Sequence, residues 1–282
     1  MDEYKKRLAC LLHCKQMSWK NVKLILQADP TLTTFSFKPE NPLSKKFPAV
    51  TMHQLPIEQI LEQYQRNGIH LISLLDDEYP EILKSIYQPP WMLFAKGDIR
   101  LLKSVFPLAV VGSREASDYG KQAIGALFPQ LIDSGAVIIS GLAKGIDTYA
   151  HQMAIRNGGS TIGVIAGGFE HIYPKENLGL AQYMMNHHLL LSEYPPYTRP
   201  ERWHFPMRNR IISGLAKGTL VVEAKKRSGS FITADFALNE GREVFAIPGS
   251  IFEPKSAGTN ELIQMGAKLV KEPKDIIEEI IF

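Results

Sequence analysis

The hydrophobic pattern divides the chain into a helical N-terminal part and a longer part that alternates strands and helices. Up to about residue 75, apolar side chains recur three and four positions apart, as in Tyr4, Leu8, Leu11 and again in Ile57, Ile60, Leu61, Tyr64. Such spacing places them on one helical face, so residues 1–75 are predicted to form a small helical domain. A stretch at 37–48, rich in proline and lysine, is predicted to be a loop. Residues 76–106 are predicted to be a connecting segment with one short strand near residue 97.

From residue 107 onward, short apolar strands, glycine turns and helices repeat. Strands are predicted at 108–111, 136–139, 161–165, 189–191, 219–222 and 243–247. Helices are predicted at 119–134, 146–157, 177–187, from about 206, and at 232–240. The strands are continuously apolar, which is expected when helices cover both faces of a sheet. The pattern therefore predicts an α/β fold, a doubly wound and mostly parallel sheet over residues 107–282.

Glycine-bearing turns follow the first three of these strands. Doubly wound sheets bind ligands at the carboxyl ends of their strands, so the turns are expected to share one edge. The first turn is Gly112-Ser113-Arg114, in which glycine allows close backbone approach and arginine can bind a phosphate with two hydrogen bonds. An ordinary tight turn is the alternative for this segment.

The second and third turns carry lysines. Residues 140–147 contain Gly141 and Lys144, and residues 165–177 contain Gly168 and Lys175. Phe169, with His171 and Tyr173, adds aromatic surface beside Lys175, a combination that stacks bases while cations hold the backbone. A place for these rings in the core is the alternative.

Residues 203–214, WHFPMRNRIISG, give the strongest single signal. They predict the start of a helix with Arg208, Asn209 and Arg210 in its first turns. The helix dipole favours an anion at this end of a helix. Cations exceed acids between residues 199 and 227, and Lys225 belongs to that excess. Several basic helix starts in one domain indicate a polyanion. The predicted contacts are Gly112, Ser113, Arg114, Gly141, Lys144, Gly168, Phe169, Lys175, Arg208, Asn209, Arg210 and Lys225.

Composition narrows the setting of the protein. The net charge of +3 means that affinity for nucleic acid must come from a local patch. No apolar run is long enough for a signal peptide or a membrane span, so we expect a cytoplasmic protein. Cys10 and Cys14 flank His13 like half a metal site, but no second half follows, and we expect buried thiols. We predict no metal and no cofactor.

An enzyme is the alternative function. Asp147 and His151 lie four residues apart and could form an acid–base pair, although local packing of His151 is favoured over it. With Glu193 and Glu223 they could serve a nucleotide or nucleoside-phosphate hydrolase. A Walker A motif is absent, as is a nucleophile with an evident base, so we predict a protein without catalytic activity.

The C-terminal residues 275–282 are unusually apolar. Four isoleucines, Ile276, Ile277, Ile280 and Ile281, would form an association surface if they were exposed. Packing onto the sheet of the same chain is equally favoured. A protein that acts as an adaptor through this segment is a third, weaker possibility.

Seven sequence blocks in one order, between about residues 76 and 266, resemble the DprA/Smf family, the DNA-processing proteins of natural transformation. The blocks are VGSR ending at 114, SGLAKGIDTYAH ending at 151, GGFEHIYPKEN ending at 177, FPMRNRIISG ending at 214, VVEA ending at 224, SGSFITADFA ending at 237 and VFAIPG ending at 249. The resemblance implies an extended Rossmann-like domain, sequence-independent binding of single-stranded DNA and a homodimer. It also implies protection of incoming strands and their delivery to the RecA recombinase.

The resemblance also bears on individual residues and domains. It implies DNA contacts by Arg114, Lys175, Arg208 and Arg210. The helical N-terminal segment would correspond to the sterile-alpha-motif-like domain of some members. Many members carry a C-terminal winged helix, which we do not expect in this chain because it ends soon after the Rossmann-like domain.

Overall fold

The computed structural model describes residues 2–14, 17–33 and 55–281 of the chain. The helices, in chain order, are α1 Glu3–His13, α2 Trp19–Ala28, α3 Ile57–Arg66, α4 Glu81–Lys84, α5 Asp118–Asp133, α6 Ile146–Arg156, α7 Leu178–His187, α8 His204–Gly214, α9 Gly229–Asn239, α10 Ala257–Gln264 and α11 Lys274–Ile281. The strands are β1 Ile69–Ser73, β2 Met92–Gly97, β3 Pro107–Val111, β4 Val137–Ser140, β5 Ser160–Ile165, β6 Leu189–Ser192, β7 Gly218–Val221, β8 Glu243–Ala246 and β9 Lys268–Leu269. Among these residues, no helix is long and apolar enough to cross a membrane.

All the strands belong to one sheet, in the order β1-β2-β6-β5-β4-β3-β7-β8-β9. Pairing is parallel from β6 to β9 and antiparallel at the two β1–β2 and β2–β6 junctions. The parallel part of the sheet begins in the middle with β3, and β4, β5 and β6 follow on one side of it. The chain then returns and places β7, β8 and β9 on the other side of β3. The predicted doubly wound, mostly parallel α/β fold is thus confirmed, and the order reverses between β3 and β7.

The six strands predicted from apolar runs all form, with ends within two residues of the predicted ones. Their side chains are buried because helices pack on both faces of the sheet, in one cluster around Ile139 and another around Phe128. The burial explains why these runs do not alternate with polar residues. The two-residue strand β9 was not predicted, being too short to carry a pattern.

The helical prediction for residues 1–75 is wrong for residues 69–73, which form β1. This strand pairs with β2, and β2 pairs with β6, so the sheet begins before residue 107. Helices α1, α2 and α3 share one apolar cluster with residues of the sheet such as Phe94 and Leu190. The proposed division at residues 75 and 106 therefore does not coincide with a break in the sheet or in the core. The loop predicted at 37–48 lies outside the described residues.

The C-terminal helix α11 packs on the sheet of its own chain. Ile276 is fully buried and Ile280 nearly so, in the cluster that also contains Phe245 and Val270. Ile281 remains partly exposed. Of the two alternatives for this apolar segment, packing within the chain is the one that the structure shows.

Candidate functional site

A cleft of about 400 Å³ opens at the carboxyl edge of the sheet, between the ends of β3 and β7. This is the position where the strand order reverses, and open α/β sheets bind ligands in that crevice. Its walls come from the turn after β3, from α8 and from the first turn of α9, and the lining residues include Gly112, Ser113, Arg114, Arg208, Asn209, Lys225, Ser228, Gly229 and Ser230. Six of these residues belong to the predicted contact set.

Arg208 forms the floor of this cleft. Its side chain is buried, its Nη1 donates to the carbonyl oxygen of Val164 at 3.1 Å, and it lies 4.0 Å from Asp147. Burial lowers the pKa of Arg208 to about 10, with Asp147 opposing the shift, so the guanidinium stays protonated near neutral pH. Burial also raises the pKa of Asp147, while Arg208 opposes the shift.

Gly141 has a different role from the one predicted. A Cβ atom at this position would lie 1.4 Å from Nη1 of Arg208 and 2.7 Å from Oδ2 of Asp147. The absence of a side chain therefore makes room for the guanidinium, and Gly141 does not line the cleft. Its contribution to an anion site is to position Arg208.

The turns after β3 and β4 pack closely against each other and are joined by a hydrogen bond. A Cβ atom on Gly112 would collide with the side chain of Ile146, and one on Gly145 would collide with the backbone of Ser113 and Arg114. Gly145 also has a φ of +79°, a conformation that favours glycine. The amide of Ile146 donates to the carbonyl of Ser113 at 3.0 Å. The close packing holds the backbone that carries Arg114 in place.

Arg114 connects the cleft with a second groove. Its side chain is exposed, and its guanidinium lies 5.9 Å from the centre of the Phe205 ring. Phe205 meets Tyr173 edge to face at 5.8 Å, and Tyr173 is 57% exposed. Arg202 lines the outer part of this surface with Pro200. We call the cleft and this continuation, lined by Arg114, Lys144, Tyr173, Arg202 and Phe205, the carboxyl-edge groove.

The predicted lysines lie along the same edge. Lys144 lines the groove, where its Nζ pairs with Glu176 at 2.6 Å, and this partner raises the pKa of Lys144. Lys175 is exposed and follows Pro174, a residue that lines the groove. Lys225 is exposed at the rim of the cleft. The groove thus combines cations with the exposed ring of Tyr173 and the partly buried ring of Phe205.

Arg210, which was predicted as a contact together with Arg208, does not line the groove. It is 3% exposed, and its Nη2 donates to Oε1 of Glu193 at 2.5 Å. Burial raises the pKa of Glu193, and the Arg210 charge opposes that shift. Helix α8 begins at His204, two residues before the predicted start, so Arg208 lies in its second turn. Positions 208 and 210 are two residues apart and therefore point to opposite sides of the helix.

Gly168 and Phe169, which were predicted as contacts, do not line the groove. A Cβ atom on Gly168 would lie 2.1 Å from the carbonyl oxygen of Pro196, so this glycine permits close packing of the segment around residue 196. Phe169 is buried in the cluster shared with the N-terminal helices. The alternative of a core ring is correct for Phe169, whereas the exposed Tyr173 lines the groove.

The four side chains considered for catalysis are engaged in the structure. Thr161 donates to the carbonyl of Ile138, so its Oγ1 accepts the hydrogen bond from Nδ1 of His151 at 2.7 Å. Burial lowers the pKa of His151 to about 3. Glu223 accepts the amide of Ser117 at 3.0 Å and also its hydroxyl, which ties the end of β7 to the start of α5.

The lining residues outside the predicted contact set include Arg202, Phe205, Ser228, Gly229 and Ser230. The two serines flank Gly229 at the start of α9, where the helix dipole favours an anion. That start follows β7, and its proximity to Arg114 depends on β7 pairing with β3. Arg202 and Phe205 carried a signal in the local excess of basic and aromatic residues. Among residues 2–14, 17–33 and 55–281, no group of three His, Cys, Asp or Glu is placed to hold a metal ion.

Comparison of the sequence with known protein families gives one match over most of the chain. The family described as DNA recombination-mediator protein A matches residues 70–281. This range begins at β1 and includes all of the sheet and the whole carboxyl-edge groove. The DNA processing protein DprA of Bacillus subtilis is 47% identical over 281 residues, which cover 96% of this chain and 94% of the relative. DprA of Streptococcus pneumoniae is 49% identical over 83% of each chain.

Two solved structures are similar to this fold, one over the whole chain and one over about three quarters of it. The X-ray structure of DprA from Streptococcus pneumoniae superposes with a TM-score of 0.86 at 41% identity and covers all of both chains. DNA processing protein A from Helicobacter pylori, a structure described for its single-stranded DNA binding mode, has a TM-score of 0.67 at 29% identity. The second match covers 74% of this chain and 94% of the Helicobacter chain.

Proposed function

The chain belongs to the DNA recombination-mediator protein A family, and on this premise we propose that it binds single-stranded DNA without sequence preference. One observation carries the proposal. The exposed guanidinium of Arg114 lies where three adjoining parts of the carboxyl-edge groove meet, beside the rings of Phe205 and Tyr173. Cations that follow a backbone, with aromatic rings between them, are typical of single-strand binding.

In the proposed complex the groove holds phosphates and bases with different groups. Arg114, Lys144 and Lys225 contact phosphates, and the amides at the start of α9 meet another phosphate. Arg208 supplies positive charge from the floor of the cleft, where burial keeps water away and strengthens its attraction. Tyr173 and Phe205 offer ring surface to bases. Because rings stack on every base, the groove needs no particular sequence.

We further propose that two copies pair and that the bound strand is protected from nucleases and delivered to RecA in the cytoplasm. The family description as a recombination mediator supports the delivery step. Natural transformation is the proposed setting, which the names of the Bacillus and Streptococcus relatives as DNA processing proteins support. Filament assembly by RecA on a strand already coated with single-strand-binding protein, with and without this protein, tests the delivery. Light scattering tests the pairing.

The chemistry of the site favours binding over catalysis. Asp147 and Glu193 each face a buried arginine, His151 holds its proton on Nδ1 toward Thr161, and Glu223 anchors Ser117. The carboxylates thus hold neighbouring residues in place, and burial lowers the pKa of His151 to about 3, so that its imidazole stays neutral near pH 7. Turnover of a nucleotide or nucleoside phosphate by the purified protein would contradict the proposal.

The decisive test is the anisotropy of a labelled dT oligonucleotide titrated across a salt series. We expect tight binding that weakens with salt, and a slope of log affinity against log salt that falls by about 0.7 in Arg114→Ala, because one phosphate contact is lost. Arg156→Ala is the matched control, since this exposed arginine ends α6 at the opposite edge of the sheet. Absence of binding at low salt, or equal slopes for Arg114→Ala and the unmodified protein, would refute the proposal.

A further inference from the structure

A turn at the carboxyl end of β8 presents two large apolar side chains to solvent. Ile251 is 84% exposed and Phe252 is 89% exposed, more than any other large apolar side chain among the described residues. Single exposed apolar residues are common, whereas contiguous exposed apolar surface marks an interaction site. The exposure of Ile251 and Phe252 indicates that a ligand covers them.

The turn is held firmly at both ends. The carbonyl of Pro248 accepts the hydroxyl of Tyr119 at 2.5 Å, and Asn260 both donates to and accepts from the backbone of Gly249. At the other end, the amide of Ala224 donates to the carbonyl of Lys255 at 2.7 Å. A Cβ atom on Gly249 would lie 2.0 Å from Oγ of Ser256, so the two ends also pack tightly.

The tip has a defined conformation of its own. The amide of Glu253 donates to the carbonyl of Ser250 at 3.1 Å, which closes a turn with Ile251 and Phe252 at its two central positions. The amide of Phe252 also donates to Oγ of Ser250 at 3.2 Å. The position of the Phe252 backbone is therefore fixed, and little backbone entropy remains to be lost when a ligand contacts the turn.

This turn lies on the same edge of the sheet as the carboxyl-edge groove. Strand β8 pairs with β7 in parallel, and β7 pairs with β3, so the end of β8 lies two strand spacings, about 10 Å, from the end of β3. Ala224, which holds the turn, precedes Lys225 at the rim of the cleft. A ligand that follows the edge past Arg114 thus meets the turn next.

The charges between groove and turn favour an anionic strand. Lys225, Lys226 and Arg227 are exposed in the loop after β7, and Lys255 lies on the turn itself. The acids beside them are Glu253 on the turn, Glu261, which pairs with Lys226 at 3.5 Å, and the buried Glu223, which is bound to Ser117. The cations exceed the acids and leave a positive surface beside an exposed ring. That pairing of cations with a ring is what a strand of nucleic acid requires.

We propose that Phe252 is a base-stacking platform that extends the carboxyl-edge groove beyond the cleft, with Ile251 supporting the stacked base. The inference rests on the proposed function, because it assigns a further contact to the same strand. Its occupant is a base of single-stranded DNA that lies outside the cleft. Oligonucleotides that fill only the cleft do not reach Phe252, whereas longer ones do.

The test measures the affinity of the full chain for dT oligonucleotides of increasing length. We expect Phe252→Ala to bind the shortest oligonucleotides normally and to lose at least about fivefold in affinity for longer ones. The salt slope stays unchanged because no phosphate contact is removed. Phe252→Trp is expected to retain the affinity and Phe252→Leu to lose it, since leucine is apolar without a flat face.

Tyr87→Ala is the matched control, because Tyr87 is an aromatic residue that is 68% exposed and is bound through its amide to Glu240 beyond the end of α9, at the opposite edge. Equal affinity of Phe252→Ala and the unmodified protein at every length would overturn the inference alone, provided that Arg114→Ala still weakens binding. The inference would also be overturned if Phe252→Ala lost affinity and had a lower molar mass by light scattering than the unmodified protein. In that case the turn would contact a second copy of the chain. Failure of the unmodified protein to bind any oligonucleotide would instead refute the proposed function.

Discussion

Replacement of Gly141 by alanine gives a direct test of how the floor of the cleft is built. The added Cβ would lie 1.4 Å from Nη1 and 2.4 Å from Cζ of Arg208, far inside contact distance. The backbone at this position is buried at the end of β4, so the guanidinium has to move. Movement breaks its hydrogen bond to Val164 and separates it further from Asp147.

The size of the effect follows from these contacts. A hydrogen bond that involves a charged group contributes about 1.5–3 kcal/mol. The weaker attraction to Asp147 adds to this loss, and the reduced flexibility of the unfolded chain on replacing glycine returns about 0.5 kcal/mol. We therefore expect Gly141→Ala to destabilise the protein by about 2–3 kcal/mol, which corresponds to a fall in melting temperature of about 5 °C for a chain of this size.

The assay is thermal unfolding of Gly141→Ala, Arg208→Ala and the double variant. In the Arg208→Ala background the clash with the guanidinium is removed and only the Asp147 carboxylate, 2.7 Å from the new Cβ, has to shift. Gly141→Ala should therefore destabilise that background much less than it destabilises the unmodified protein. Such non-additivity measures the coupling between the two positions. Full addition of the two losses in the double variant would show that Gly141 is required for another reason, and would refute the explanation of this glycine.

Three further predictions concern buried residues. Burial lowers the pKa of His151 from 6.5 to about 3, so the stability that its neutral form contributes is complete above pH 6.5 and is lost as the pH falls toward 3, by about 2 kcal/mol at pH 5. The free energies of unfolding at pH 7 and pH 5 should therefore differ less in His151→Asn than in the unmodified protein. An equal difference in the two proteins would contradict this prediction. Burial raises the pKa of the Cys10 thiol to about 12, so a thiol reagent should modify Cys10 at pH 8 only as fast as the protein opens, far more slowly than in denaturant, and equal rates would contradict its burial. Ile276→Ala should destabilise the protein by about 2–5 kcal/mol and Ile281→Ala by much less, because only Ile276 is fully buried. Thermal unfolding measures both effects. Equal effects would contradict packing of α11 on its own sheet and favour an association surface formed by the C-terminal isoleucines.

The central strands could be predicted because their signal is local. The runs at β3 and β5 are apolar without alternation, and glycine turns follow both. Strand β1 is interrupted by the exposed His70, follows a helix directly, and pairs only with β2, whose partner residues lie about 20 to 25 positions further along the chain. The local pattern therefore favoured a helix for residues 69–73, whereas pairing with a distant strand makes them a strand.

The candidate site shows the same division. Arg114, Lys144 and Arg208 could be identified from basic residues in turns after strands and near a helix start. The different surroundings of Arg208 and Arg210 could also be predicted, since the helical period places positions 208 and 210 on opposite sides of α8. No pattern could reveal that Gly141 gives room to Arg208, because that contact joins residues 67 positions apart.

The sequence by itself determined the family, the α/β fold and most of the cations of the carboxyl-edge groove, because apolar runs, turn glycines and basic residues act over short stretches of chain. Tertiary structure decided which of these residues share a surface. Placing β7 beside β3 brings Ser228 and Lys225 to Arg114, and packing against the N-terminal helices takes Phe169 into the core. Strand order and burial are set by contacts between distant residues, which no local pattern contains.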